Sequence, residues 1–318
     1  MYTENTLETI AVVGTSSAYK IGQLVEGFIR YIKFELSLSP QTAEKYQDAL
    51  GWVIRDIGDI EVTQINQNHI TLLKQRMMIR GAGEARVGTI IFALKSFLKY
   101  CREFLELEVL DNKKIKSPKR HRREVLFLTP EEIQQFISTI KLERSWNGGT
   151  REKTYRMEGL RFRTLVEVLL GTAMRISEAL SLNRDSIDFE KKEAKIIGKG
   201  NKERTVFFSD RSLEWVRLYL AERKDEEKPL FITQRLSRMS RVDIHGLFKR
   251  YVIKSGINKK ITPHILRHTA ATTLLFNGCP ISHVKEILGH ERLETTCKYY
   301  LGVDKRKAKE AHELFLNY

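Results

Sequence analysis

HILRHTAATTLL, residues 264–275, brings two histidines and an arginine into five positions of a region whose hydrophobic pattern is helical. Two other segments are as dense in chemistry, TAMRISEALSL at 172–182 and LGHERLETTCKYY at 288–300, and GKGNKER lies between them at 198–204. Each has a plain reading. His264 and His268 stand four apart and could face a zinc ion from one helix, yet the companion glutamate of HExxH is missing and no third ligand is evident. His268 is therefore read as structural. Arg175 and Glu178 could be a buried ion pair. GKGNK by itself says little, because any turn between two strands favours Gly and Asn. Residues 281–300 could form the helix-turn-helix of a regulator, and Tyr299 and Tyr300 could be core aromatics.

Composition narrows the partners. The chain has 318 residues, 42% of them apolar and 9% aromatic, enough for two domains with real cores. Its 55 Lys and Arg against 40 Asp and Glu leave a net charge of +15, more than solubility requires, so a polyanion such as double-stranded DNA is the expected partner. Cys101, Cys279 and Cys297 are odd in number and widely spaced, which argues against a disulfide framework or a zinc knuckle. No apolar run approaches a membrane span, and the first residues carry acids where a secretory signal would be basic. A cytoplasmic protein with no membrane partner is expected.

Residues 1–17 lack a sustained period and read as a flexible arm. From Tyr19 the apolar residues Ile21, Leu24, Val25, Phe28, Ile29 and Ile32 recur at three- and four-residue spacing, a helical stripe. Ser39-Pro40 starts a second helix, Asn68 to Gly81 spans a third, and Ile90 to Cys101 lies on a fourth. Residues 18–112 thus read as a helical bundle. KKIKSPKRHRR at 113–123 holds seven Lys or Arg and no acid, so 113–126 is expected to be an exposed basic linker lying along a DNA backbone. Thr129-Pro130-Glu131-Glu132 opens a helix and a second domain over 127–318. Within it, the Gly pair and mixed charges of 143–159 predict a surface loop. Short strands are expected around 187–189, 194–197 and 205–208.

The three segments together resemble the boxes of the tyrosine recombinases, or phage integrase family, and in particular its Xer-type members, over roughly residues 20–318. The resemblance implies a mainly α fold with a small β-sheet, a helical core-binding domain followed by a mixed catalytic domain. Matched residue by residue, it implies Arg175 as the first catalytic arginine with Glu178 beside it. Lys199 falls in the strand turn, His264 and Arg267 in HxLRH, and His290 in LGH. Tyr299, nine residues after His290, takes the place of the nucleophile, with Tyr300 its adjacent rival.

The residue types suit that chemistry. A phosphodiester under attack gathers negative charge on its equatorial oxygens, and two guanidinium forks answer it with paired, permanent positive charge. A tyrosine hydroxyl, with a reference pKa of about 10, needs a proton acceptor and a positive field. His264 would be the base, Lys199 the donor to the departing 5′ oxygen and His290 a ligand of a phosphate oxygen, while Glu178 would orient the His264 side. Energy kept in a phosphotyrosine bond makes ATP and metal unnecessary, and no cofactor is expected. Ala308, Ala311, Leu314 and Phe315 fall at helical spacing on one face, which could fold back on its own domain; the resemblance implies instead that this C-terminal helix docks on a neighbour and links a tetramer on two DNA sites. The alternative is a catalytically silent DNA-binding regulator of the same fold.

Overall fold

The computed structural model describes residues 19–118, 126–140, 150–198, 203–300 and 312–313. The arm at 1–17, Lys199 with the tip of its turn, residues 119–125 of the basic stretch and nearly all of the C-terminal helix lie outside the described residues. The chain divides into two compact units, Met1–Arg122 and Arg123–Tyr318, so the division falls inside the basic stretch.

The first unit is a bundle of α1 (Ile21–Phe34), α2 (Pro40–Ile57), α3 (Gln67–Ile79) and α4 (Glu84–Glu103). Its sequence punctuation works as expected. The Ser39 hydroxyl accepts from the Thr42 amide with Pro40 in the first turn, and the Asn66 side chain accepts from the amides of Asn68 and His69. The apolar stripes meet in a core of Phe28, Ile32, Leu50, Val53, Leu73, Leu94 and Phe97, where Phe28 sits edge-on to Phe97 with centroids 5.5 Å apart.

This unit extends further than the sequence suggests. Ile115 is 1% exposed and belongs to the same core. Lys95 Nζ donates to its carbonyl at 3.1 Å and Lys74 Nζ to that of Lys116 at 2.7 Å. Residues 113–118 are therefore part of the bundle, where an exposed linker is expected from 113. One buried isoleucine and two lysines satisfying carbonyls outweigh the basic composition around them. Lys113, Lys114 and Lys116 still point to solvent.

In the second unit, α5 (Pro130–Ser138) begins with a reciprocal cap, Thr129 Oγ1 accepting from the Glu132 amide and Glu132 Oε2 from the Thr129 amide. The long helix α6 (Thr150–Thr172) follows. The surface loop expected over 143–159 is thus corrected for residues 150–159. Arg, Glu, Lys and Met favour a helix about as well as Leu does, and in the sequence the glycine pair precedes Thr150. Next come α7 (Ile176–Ser181), an antiparallel sheet of β1 (Ile187–Asp188), β2 (Glu193–Ile197) and β3 (Glu203–Phe207) in that order, and α8 (Asp210–Glu222). The register pairs Ala194 with Val206 and Ile196 with Arg204. The unit ends with α9 (Arg241–Ser255), α10 (Pro263–Phe276), α11 (Ile281–Leu288) and α12 (Leu293–Tyr300).

The main core joins Phe136, Phe162, Leu165, Leu169, Val216, Tyr219, Phe231 and Phe248 from α5, α6, α8 and α9. A smaller apolar cluster of Ala173, Ala271, Leu275, Val284 and Leu288 fixes α10 and α11 to the end of α6. This second cluster is the floor beneath the residues singled out in the sequence. Among the described residues no helix is long and apolar enough to cross a membrane.

Candidate active site

Arg175 reaches its position because α6 stops abruptly. The stop is made by Ala173, which adopts a left-handed backbone (φ 53°) that costs a residue with a Cβ about 1 kcal/mol or more. The turn is held from outside: Arg267 Nη1, on α10, donates to the Ala173 carbonyl at 2.8 Å. Arg175 then caps α7. Its amide donates to Glu178 Oε2 at 2.7 Å and its Nη1 to Glu178 Oε1 at 2.9 Å, while Nη2 reaches the Gly289 carbonyl at 3.3 Å.

Arg267 is 2% exposed and is spent on the same turn. Its Nη2 donates to the Leu288 carbonyl at 2.6 Å and lies 3.2 Å from His290 Nε2. Two guanidinium groups more than 90 positions apart in sequence thus converge on consecutive carbonyls, those of Leu288 and Gly289, at the C-terminal end of α11. That end is shaped by Gly289, whose φ of 59° stops the helix and projects His290. A side chain there has no room either, since a Cβ would stand 2.8 Å from Arg204 Nε.

Arg204 is a residue that the sequence reading quotes within GKGNKER but gives no task. From β3 its Nη1 donates to the Ile287 carbonyl at 3.0 Å and its Nη2 to Glu178 Oε2 at 2.9 Å. Glu178 is 4% exposed. Burial alone would raise its pKa, but the Arg175 amide and the charges of Arg204 and Arg175 hold it below the usual carboxylate value. Its oxygens serve two arginines, Arg175 and Arg204. The reason for Arg175 is proximity along the chain: as the third residue of α7 Glu178 folds back on the Arg175 amide and guanidinium together. No sequence signal marks Arg204 as their companion, because it comes from a different strand.

His264, at the start of α10, lies against His268 with ring centroids 4.2 Å apart, edge to face. Among the described residues no group of three metal-binding side chains comes together. Burial and the charges of Arg267 and Arg175 lower the His264 pKa, so the ring is neutral at neutral pH with a lone pair to offer. A phosphodiester's negative charge would raise that pKa and favour proton uptake. Burial first, then Arg267, Arg175, Arg204 and His264, push His290 down to about 4. Burial, His264, Arg267 and His290 do the same to His268.

The sign of the resulting pH dependence is fixed. An unfolded chain takes up these protons near the ordinary value of 6.5, whereas folded His268 and His290 resist them until about 4. Acid therefore favours unfolding between those limits. The thermal midpoint of the second unit in the intact protein should fall from pH 6.5 to 5, above the range where carboxylates titrate. A midpoint flat across that interval in calorimetry would contradict the burial of these rings.

Tyr299 and Tyr300 end α12, and their side chains lie outside the described residues, as does all of Lys199. Thr296 of the same helix is fully buried. Its Oγ1 lies 2.9 Å from His290 Nδ1, a contact that nothing in the sequence announces.

In the first unit a separate basic feature stands on α2. Trp52 carries Arg55 with its guanidinium carbon 3.7 Å from the ring centroid, Arg86 at 4.5 Å and Arg80 at 5.7 Å. Trp52, Arg55 and Arg86 border an open hollow of about 780 Å³.

The phage integrase family matches residues 126–307, more than half of the chain and the whole of the site described above. The chain belongs to this family, the tyrosine recombinases. It is 30% identical over 282 residues to tyrosine recombinase XerC of Proteus mirabilis, covering 86% of this chain and 88% of that one. To tyrosine recombinase XerD of Staphylococcus haemolyticus it is 27% identical, covering 92% and 98% of the two chains. The solved Tn1549 transposon integrase in complex with circular intermediate DNA is similar in fold, with a TM-score of 0.74 at 20% identity over 92% of this chain and 98% of that one. The mainly helical fold with a small sheet, expected from the resemblance, is the fold of this protein.

Proposed function

We propose that this chain is a site-specific DNA recombinase that cuts and rejoins one strand at a time through a 3′-phosphotyrosine intermediate. The observation that carries the proposal is the meeting of Arg175 and Arg267 on the turn that leads directly into α12. Two permanent cations from remote segments, held by carbonyls and a buried carboxylate, suit one phosphate. In the proposed step the Tyr299 oxygen attacks phosphorus and its proton passes to His264. The bond from phosphorus to the 5′ oxygen breaks, and Lys199 protonates that oxygen. A 5′ hydroxyl from the same or another strand then reverses the attack, so bond energy is conserved without ATP or metal.

The role of His290 takes a different form from the expectation that it binds a phosphate oxygen. A guanidinium can only donate, so His290 Nε2 accepts from Arg267 and the ring proton sits on Nδ1, towards Thr296. We assign it the task of holding Arg267 in place. Glu178 likewise anchors Arg175 and Arg204.

The test is a duplex carrying a nick close to the cleavage point, from which the short cut fragment escapes and prevents resealing. Incubated with such a duplex in EDTA and without ATP, the protein should accumulate a covalent complex that survives detergent. A protein that binds the duplex and never becomes attached would be the silent regulator. Dependence on a divalent metal would restore the zinc reading of His264 and His268.

The domain assignment follows the same logic. The first unit would grip DNA as the core-binding domain, which the exposed arginines around Trp52 support, with the basic stretch lying on phosphates. Replacing the seven Lys and Arg between Lys113 and Arg123 by Gln, while keeping Ile115, should flatten the plot of log affinity against log salt by up to about 6 in slope. An unchanged slope would remove this stretch from the DNA contacts. The proposed assembly is a tetramer on two sites in the cytoplasm, joined by the C-terminal helix. Deleting residues 305–318 should leave binding to one site intact and weaken pairing of two sites and strand exchange. Exchange at the full-length rate by the truncated protein would end that idea.

A further inference from the structure

We propose that Thr296 is a positioning residue for strand cleavage: through His290 it ties the helix of the nucleophile to the arginine that holds the phosphate. The inference rests on the assignment of Tyr299 as nucleophile. The geometry is a chain of three groups. Arg267 Nη2 lies 3.2 Å from His290 Nε2, and His290 Nδ1 lies 2.9 Å from Thr296 Oγ1. With Nε2 accepting, Nδ1 carries the proton and donates it to the threonine hydroxyl. Thr296 stands on α12, three residues before Tyr299, hence about one helical turn from it and on nearly the same side.

The surroundings explain why such a tie is needed. The segment between α11 and α12 is short, turned by Gly289 in the left-handed conformation and by the His290 amide donating to the Lys285 carbonyl at 3.1 Å. Helix α12 has eight residues, too few to hold a direction by itself. Thr296 is fully buried, and His290 in turn is held by an arginine that also donates to the Ala173 and Leu288 carbonyls. Any shift of Arg267 as it takes hold of a phosphate is thus passed to α12 through two hydrogen bonds. Anchorage of the attacking group is the kind of geometry in which an error of about 1 Å costs on the order of 100-fold in rate.

Thr296→Val keeps the branched shape and removes the hydroxyl; Thr296→Ser keeps the hydroxyl. On the nicked duplex under single-turnover conditions, the Val variant should form covalent complex about tenfold or more slowly with DNA affinity unchanged, and the Ser variant should recover most of the rate. Because Thr296 acts through His290, Thr296→Val should add little to the defect of His290→Ala. Native-rate cleavage by the Val variant, an equal defect in the Ser variant, fully additive effects, or a loss of DNA affinity in step with cleavage would each overturn the inference. Its failure is separable from that of the functional reading. If Tyr299→Phe is inactive while Thr296→Val cuts normally, only the positioning role falls; if Tyr299→Phe still becomes attached to DNA, the assignment beneath it falls.

Discussion

Tyr299→Phe binds its DNA site with native affinity and forms no covalent complex. The substitution removes one oxygen and leaves the ring, so the helix that ends at Tyr300 loses no packing volume and DNA binding loses no charge. Strand cleavage loses its only nucleophile, and the expected defect is total within the sensitivity of a detergent-resistant complex assay. Tyr300→Phe is the internal control and should cut. The pair matters because the two tyrosines are adjacent at the end of the same helix. A dead Tyr300→Phe beside an active Tyr299→Phe would exchange the two.

Arg267→Ala should slow cleavage by on the order of 100-fold or more, and Arg175→Ala by a similar factor, because each removes a fixed donor to the charge that grows on the phosphate. Their structural costs differ. Arg175 is 38% exposed at its side chain and its partner Glu178 keeps Arg204. Alanine at 175 should therefore leave the fold and the DNA affinity largely intact. Arg267 is buried and satisfies the carbonyls of Ala173 and Leu288, so alanine there orphans two acceptors and loosens a left-handed turn. Arg267→Lys, which restores the charge without the fork, separates the two effects. Folding should largely return with it, whereas cleavage should stay well below native, since a point charge cannot make the paired bonds of a guanidinium. Single-turnover cleavage beside equilibrium DNA binding decides both cases, and near-native rates for either alanine variant would remove that arginine from the reaction.

How far these features are legible in the sequence depends on how local their causes are. Caps and turns are written within three or four residues, so Ser39-Pro40, Thr129-Pro130 and Gly81 could be read directly, and the helices they bound stand where the periodicity puts them. Two boundaries misled for opposite reasons. Ile115 is one apolar residue among seven cations, and only the fold shows that its side chain fills the bundle core. The charged run after Gly149 has no apolar stripe, yet its residues favour helix by themselves, and α6 begins at Thr150.

The same distinction divides the site. Arg175, His264, Arg267 and His290 could be proposed from their motifs, because each motif is compact. Glu178 was visible as a neighbour of Arg175, although its second partner was not. Arg204 acts across strand-to-helix contacts with no fixed spacing, and Thr296 reaches back six residues to a turn histidine, a pairing that no motif marks. The strained turn at Ala173 was equally hidden, since the left-handed conformation usually announces itself by glycine.

The central claim is that Tyr299 becomes joined to DNA, and mapping the joint tests it most directly. The wild-type protein, trapped on a nicked duplex in EDTA, is digested with a protease, and the peptide that carries nucleotide is fragmented in a mass spectrometer. The account predicts a 3′-phosphodeoxynucleotide on Tyr299, the residue directly after Lys298. An adduct on Tyr300, on a serine or on a histidine, or no adduct from a protein fully bound to the duplex, would contradict it.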